Sequence, residues 1–170
     1  MRWHVLLEEY DNPYEIYQNR MFLIPQGKVT GQCIELIKAN AGVAMEKANR
    51  IWDDCNKMGI HIVKYEDLEF SDNIRKNKEF PILFYYKGKI KANWTHGVGI
   101  IGARRCSHLG KECAIETTVG AVNKRCPVVS GMAKGIDSYA HTAAIKNGGY
   151  TIAVLGFGID QCYPEEHRKL

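Results

Sequence analysis

Apolar runs alternate with helix-forming segments along residues 98–158, and this alternation constrains the fold more than any other feature. The apolar runs lie at 98–102, 127–130 and 151–155, and a basic or glycine-rich loop follows each of them. Strands that are separated by helices in this way pair in parallel, because the chain must cross back before each new strand. The sequence therefore predicts an α/β fold built on a partial βαβαβ parallel sheet.

The polar residues of this segment collect in the loops that follow the strands. In an open parallel sheet the carboxyl ends of the strands line one crevice, so residues from all three loops should converge there. We expect Arg104, Ser130, Lys134 and Gly156 to meet in that crevice although they are far apart in sequence. Their chemistry predicts a site for an anionic phosphate.

The positive charge of the chain is concentrated in the same segment. The 170 residues carry a formal net charge of +4. Lys and Arg outnumber Asp and Glu by 7 to 3 in residues 97–153, against 14 to 13 in residues 1–96 and 2 to 3 in the remainder. Such a local excess favours a polyanionic ligand, although a solvated basic surface has the same composition.

The cysteines and the hydropathy of the chain indicate its compartment. Six cysteines form no CxxC pair and have no zinc-type spacing with histidine, so neither a metal nor another cofactor is predicted. Residues 1–9 are too polar for a secretory signal, and no apolar run approaches the roughly 20 residues that span a bilayer. We expect a cytoplasmic protein with reduced thiols and no membrane partner.

The first 60 residues have a helical pattern. Met45, Ala48, Ile51 and Trp52 recur at helical spacing, which is typical of a core-facing helix surface. Turns or caps are expected at the glycines between the helical pieces: Gly27, Gly31, Gly42 and Gly59. This pattern predicts a bundle of short helices, to which we assign no chemistry.

A change of pattern marks the segment that follows. The pattern changes at residues 60–64, a charged stretch follows, and the aromatic run at 80–86 predicts a strand that ends in a turn at 87–89. The aromatic strand is expected to pair with the edge of the main sheet or to cover it.

Residues 97–102, Gly-Val-Gly-Ile-Ile-Gly, match the dinucleotide-binding pattern GxGxxG letter by letter. In that motif the glycines follow the strand and begin the helix, whereas here the motif contains the strand itself. The acidic residue expected about 20 positions further on is also missing, because the second strand ends at Ser130. The sequence therefore disfavours NAD and FAD.

The loop after the first strand carries groups suited to phosphate. Gly102 allows a ligand to approach the backbone closely. Arg104 and Arg105 follow with guanidinium groups that hold phosphate oxygens bidentately. Ser107 supplies a hydroxyl donor or, as the preferred interpretation, the cap of the next helix.

The loop after the second strand has the sequence Ser130-Gly-Met-Ala-Lys-Gly-Ile-Asp137. Backbone N–H groups in such a loop face an anion, the following helix adds positive potential, and Lys134 adds a point charge. Asp137 is expected to cap the helix 138–147 rather than to act as a general base, and His141 is expected to pack against the sheet. No Walker sequence GxxxxGK[ST] is present.

Glycines and aromatic residues follow the third strand. Gly156 and Gly158 again permit close approach of the backbone to a ligand. Phe157 and Tyr163 are candidates either for stacking on a nucleic-acid base or for packing within the protein.

Taken together, the strand-end loops resemble those of the DNA-processing protein A (Smf) family. Order, spacing and residue type agree over the following stretches: Ile100–Arg104 with Ser107 and Gly110, Ser130–Asp137 with Ala140, His141 and Ala144, residues 148–156, Gly158–Asp160, and Tyr163-Pro164. Weaker similarity extends upstream to the aromatic run and to the small helical module of the family.

The resemblance implies a Rossmann-like domain at 97–170, preceded by a SAM-like helical module at 1–60 and a connecting segment with an edge strand at 61–96. It implies a protein without catalytic activity that binds single-stranded DNA and assists loading of the RecA recombinase in DNA uptake, natural transformation, competence and recombination. Single-stranded DNA, RecA and a second copy of the chain are the expected partners.

By the same resemblance, Arg104 and Lys134 hold backbone phosphate, and glycines shape the pocket around them. The residues expected at the DNA site are Gly102, Arg104, Arg105, Ser107, Ser130, Gly131, Lys134, Gly135, Gly156 and Gly158.

Members of the family continue past the position of Leu170 with the rest of the Rossmann sheet. The chain is therefore expected to be truncated, with an uncovered edge that lowers stability or favours self-association. Two alternatives stay open: a nucleotide-binding or nucleotide-hydrolysing Rossmann enzyme of the lysine-decarboxylase-like type, and an interaction remnant without a ligand. The PGGxGTxxE signature of those enzymes is absent.

Overall fold

The computed structural model describes residues 5–6, 9–10, 13–64, 67, 81–90 and 96–170. The chain divides into two compact units, residues 1–87 and residues 88–170. Most of the charged stretch between residues 65 and 80 lies outside the described residues. None of the helices in the described part is long and apolar enough to cross a bilayer.

In the part of the first unit that the structure describes, two helices and a small antiparallel sheet are defined. Helix α1 spans Pro13–Gln18 and helix α2 spans Gly31–Met58. Strand β1 (His61–Lys64) pairs with strand β2 (Leu83–Tyr86). The predicted aromatic strand is confirmed, and because it pairs with β1 the alternative in which it pairs with the edge of the main sheet was wrong.

Helix α2 is one continuous helix of 28 residues. It begins after Thr30, whose side chain accepts the N–H of Cys33, and ends at Gly59, which has the left-handed φ of 63°. The prediction of a turn at Gly42, and with it a bundle of short helices, was wrong. A single glycine costs about 1 kcal/mol inside a helix, and the alanines on either side favour the helix strongly enough to sustain it.

The second unit is a three-stranded parallel sheet with crossover helices. Its elements are β3 (Val98–Gly99), α3 (His108–Asn123), β4 (Val128–Ser130), α4 (Ile136–Lys146), β5 (Thr151–Ala153) and a 3-10 helix (Glu165–Lys169). The strand order is β3-β4-β5, with Val98 opposite Val128 and Val128 opposite Thr151. This arrangement confirms the predicted α/β fold and its βαβαβ order.

The core of the second unit is made of small and β-branched side chains. The cluster of buried residues consists of Ile100, Ala114, Ala121, Val128, Ile136, Ala140 and Ala144. Alanines on α3 and α4 let the two helices pack closely on the sheet, and Val128 in the central strand is fully buried. This packing fixes the position of the strand ends.

Candidate functional site

The loop after β3 packs against the start of α4, which brings the first two strand ends together. The N–H of Ile136 donates to the carbonyl oxygen of Ala103 at 3.3 Å. A Cβ on Gly102 would lie 2.7 Å from Cγ1 of Ile136. A Cβ on Gly135, where φ is +82°, would lie 2.6 Å from the carbonyl oxygen of Arg104. These two glycines are therefore required for the two loops to touch.

Ser130 joins β4 to β3 beneath this contact. Its hydroxyl donates to the carbonyl oxygen of Ile100 at 2.7 Å, and the residue is only 3% exposed. Both partners are buried, so breaking the bond would leave two unpaired polar groups. The Ser130 hydroxyl thus ties the end of β4 to the residue after β3 and is already committed within the protein.

Asp137 organises the loop that follows β4. Its carboxylate accepts the N–H of Gly131 at 3.1 Å and the N–H of Ala133 at 3.3 Å, and the residue is buried. The prediction that Asp137 caps its own helix was wrong, because Gly135 holds the cap position and no side chain caps it. Two amides expected to face an anion are instead occupied by this carboxylate.

His141 packs against the sheet, as predicted. The residue is 2% exposed, and its Nδ1 lies 2.7 Å from the hydroxyl of Thr151. Since that hydroxyl donates to the carbonyl oxygen of Val128 at 2.9 Å, it must accept a proton from Nδ1. Nε2 is buried and has no partner within the described residues. Burial lowers the pKa of His141, so the ring is neutral at physiological pH.

Ser107 has a structural role at the far end of the first loop. Its side chain accepts the N–H of Gly110 at 3.1 Å and caps helix α3. The cap interpretation is confirmed, and the hydroxyl closes the loop that carries Arg104 and Arg105.

The cations of the two loops differ in their surroundings. Arg104 and Arg105 are exposed, and within the described residues no carboxylate lies at ion-pair distance from either guanidinium. Lys134 Nζ instead lies 2.6 Å from Oε1 of Glu166. This hydrogen bond raises the pKa of Lys134 and lowers the pKa of Glu166, so both groups are charged at neutral pH.

The end of β5 lies beside the end of β4. The N–H of Val154 donates to the carbonyl oxygen of Ser130 at 2.8 Å, and Gly156 faces open space. The rings of Phe157 and Tyr163 meet edge to face with their centroids 6.3 Å apart, while Tyr163 stays 61% exposed. The ring of Tyr163 is therefore largely exposed after the third strand.

The sequence did not reveal two contacts of the 3-10 helix with the second loop. Glu166 pairs with Lys134, and Nδ1 of His167 donates to the carbonyl oxygen of Met132 at 2.9 Å. The only signal in the sequence was the pair of acidic residues after Tyr163-Pro164. No periodicity connects those positions to the loop.

Comparison with known proteins then tests the resemblance. The sequence profile of the family described as DNA recombination-mediator protein A matches residues 61–170, well over half of the chain. The chain belongs to this family. The match includes β1, β2 and all three strands of the second unit, and the predicted resemblance is confirmed.

Members of the DNA recombination-mediator protein A family share sequence and fold with the chain. The DNA processing protein DprA of Streptococcus pneumoniae (strain ATCC BAA-255 / R6) is 41% identical over 90 residues, which cover 53% of this chain and 32% of the relative. DprA of Bacillus subtilis (strain 168) is 28% identical over 125 residues, 73% of this chain and 42% of the relative.

An X-ray structure of DprA from Streptococcus pneumoniae matches the fold of the chain. The TM-score is 0.61 at 34% sequence identity, over 76% of this chain and 47% of that one. The Rossmann-like fold class is thereby confirmed. The chain spans less than half the length of each of these relatives.

Proposed function

We propose that the chain binds the backbone phosphates of single-stranded DNA through the loops after β3 and β4. The observation that carries this proposal is the contact between Gly135 and the backbone of Ala103 and Arg104, which places the two basic loops side by side. Arg104, Arg105 and Lys134 then supply the positive charge along one continuous surface.

The roles of the site residues follow from their bonds. Arg104 and Arg105 present exposed guanidinium groups that hold phosphate oxygens bidentately, and Lys134 adds a point charge. The other members of the proposed site give the loops their shape or leave room for the strand: Gly102, Ser107, Ser130, Gly131, Gly135, Gly156 and Gly158. Affinity would come mainly from counterion release and depend little on base sequence.

A single strand suits this surface better than a duplex. The exposed ring of Tyr163 follows the third strand end, and unpaired bases stack on such rings whereas paired bases are not accessible to them. Family membership supports the same ligand, since the family is described as a mediator of DNA recombination.

The wider role proposed here follows the family. We propose that the DNA-bound chain, in the cytoplasm, assists RecA loading during DNA uptake and recombination, and that a second copy of the chain takes part. Residues 97–170 would form the DNA-binding domain and residues 1–60 a SAM-like module. No catalytic step is proposed. Asp137, the candidate base of the nucleotide-hydrolysing alternative, accepts the N–H groups of Gly131 and Ala133.

Fluorescence anisotropy of a labelled oligo-dT strand tests the DNA site. We expect binding at low salt that weakens as salt rises, and we expect Arg104→Ala and Lys134→Ala each to weaken it several-fold. Each variant should reduce the slope of log affinity against log salt by about 0.7, the value for one phosphate contact on a single strand.

Lys124→Ala is the matched control for these variants. It removes the same charge, but Lys124 follows α3 and precedes β4, at the amino end of the strands. Its affinity should stay near that of the wild type. Absence of binding at low salt, or an equal loss from all three variants, would contradict the proposed site.

A further inference from the structure

The 3-10 helix Glu165–Lys169 contacts the loop after β4 at two points. Glu166 Oε1 lies 2.6 Å from Lys134 Nζ, and His167 Nδ1 donates to the carbonyl oxygen of Met132 at 2.9 Å. Met132 has the left-handed φ of 62°, which is uncommon for a residue other than glycine. Both contacts therefore fall on the short segment between Gly131 and Gly135.

A carboxylate and a phosphate present the same group to a lysine, a negatively charged oxygen. The Glu166 carboxylate therefore pairs with the same Lys134 ammonium group that a DNA phosphate would bind. The bond from His167 to the backbone of Met132 keeps the carboxylate close to Lys134, which gives it a high effective concentration there.

The ion pair can nevertheless be exchanged for another anion. The side chains of Lys134 and Glu166 are 54% and 61% exposed, and ion pairs at such exposure are weak and screened by salt. A polyanion that also contacts Arg104 gains from several cations at once, whereas Glu166 neutralises only one. A single strand of DNA is thus able to displace the carboxylate, while a small anion competes with it on equal terms.

From this geometry we infer that Glu166 is a built-in competitor for phosphate at Lys134, so that DNA must displace its carboxylate to use the second loop. The inference rests on the proposed function, since it concerns the same site. Glu166 lowers the affinity for DNA and disfavours short or monovalent anions.

Glu165 provides a matched control. Its carboxylate lies 3.5 Å from Arg168 within the same 3-10 helix, and the side chain is 83% exposed. Glu165→Gln removes the same charge from the adjacent position without changing the partner of Lys134. The difference in DNA affinity between the two variants therefore measures direct competition at Lys134, separately from the general repulsion between a carboxylate and DNA.

The experiment is oligo-dT anisotropy with the full 170-residue chain as wild type, Glu166→Gln and Glu165→Gln. Glu166→Gln should bind about two- to five-fold tighter than the wild type, the range expected from loss of an exposed ion pair. Glu165→Gln should gain less, and the advantage of Glu166→Gln should shrink as salt rises. In a Lys134→Ala background the two variants should have equal affinity.

The outcomes separate this inference from the proposed function. If the wild type binds and Lys134→Ala weakens binding, but Glu166→Gln and Glu165→Gln have equal affinity, competition by Glu166 is wrong and the DNA site stands. If no variant binds oligo-dT at low salt, the proposed function fails and the inference fails with it. Greater affinity of Glu166→Gln that persists in the Lys134→Ala background would also overturn the inference.

Discussion

The two basic loops, after β3 and after β4, are built from similar residues but differ in the groups that hold them in place. The loop after β3 presents Arg104 and Arg105 to solvent, and none of the described carboxylates pairs with them. In the loop after β4, Asp137 takes two amides and Glu166 takes the lysine. The loop after β3 is thus open to an anion, whereas the loop after β4 is held by anionic groups of the chain and is termed the braced loop. Two loops of similar composition therefore differ in availability: the first can bind an anion directly, and the second can do so only after a group of the chain is displaced.

Gly135 lies in the loop after β4 and contacts the backbone of the loop after β3, so its substitution should have the largest effect on both loops. In Gly135→Ala the added Cβ meets the carbonyl oxygens of Ala103 and Arg104 at a φ of +82°. Because neither backbone segment can move freely, we expect a loss of roughly 2–4 kcal/mol in the free energy of unfolding, measured by urea denaturation.

Gly120→Ala is the control for that substitution. Gly120 lies inside α3 and has no atom within 4 Å of an added Cβ. The same chemical change should therefore stabilise the chain by about 0.5–1 kcal/mol, through helix propensity alone. Equal effects of the two substitutions would show that the contact between the loops is not formed.

Removal of the Asp137 carboxylate should act mainly on the braced loop. Asp137→Ala leaves the amides of Gly131 and Ala133 without an acceptor, and we expect a loss of roughly 2–3 kcal/mol in the free energy of unfolding. Amide exchange should accelerate at these two residues. The control Ser138→Ala removes one neutral bond to the carbonyl of Gly135 and should cost about 1 kcal/mol. Unchanged protection of Gly131 would contradict the role of Asp137.

The smallest expected effect is the dependence of folding stability on pH that comes from the buried His141. Burial lowers the pKa of His141 below its ordinary value of 6.5, an effect that Asp137 opposes and His167 reinforces. The unfolded chain therefore binds a proton first, so the stability that this residue contributes is present above pH 6.5 and declines as the pH falls toward the folded pKa. Urea denaturation at pH 7.5 and 5.5 measures the decline.

His141→Gln separates this residue from the other histidines of the chain. Between pH 7.5 and pH 5.5 the free energy of unfolding should fall more in the wild type than in His141→Gln. Identical pH dependence in the two proteins would show that His141 is not held neutral.

The sequence predicted those parts of the fold that depend on local pattern. The strands, the crossover helices and the glycines at close approaches follow from periodicity and from the conformations that only glycine adopts. Gly42 misled the prediction because a turn residue is also tolerated in a strong helical context. Composition alone could not distinguish a turn at Gly42 from a continuous helix.

The contacts that brace the second loop were less predictable. The path of the backbone at Gly135 decides whether the Asp137 carboxylate accepts N–H groups of its own helix or of the preceding loop. Both sets of N–H groups are close to Asp137 in sequence, so the pattern of residues does not distinguish them. The pairing of Lys134 with Glu166 depends on where the chain returns after β5. Neither residue belongs to a periodic pattern, so only the folded chain reveals the contact.

Amide hydrogen exchange of the wild-type chain, with and without oligo-dT at low salt, tests most directly whether the two loops form one DNA-binding surface. We predict that DNA slows exchange together in residues 102–107 and 131–135, and not in helix α2. Protection of only one of these loops, or protection confined to residues 13–64, would contradict the account.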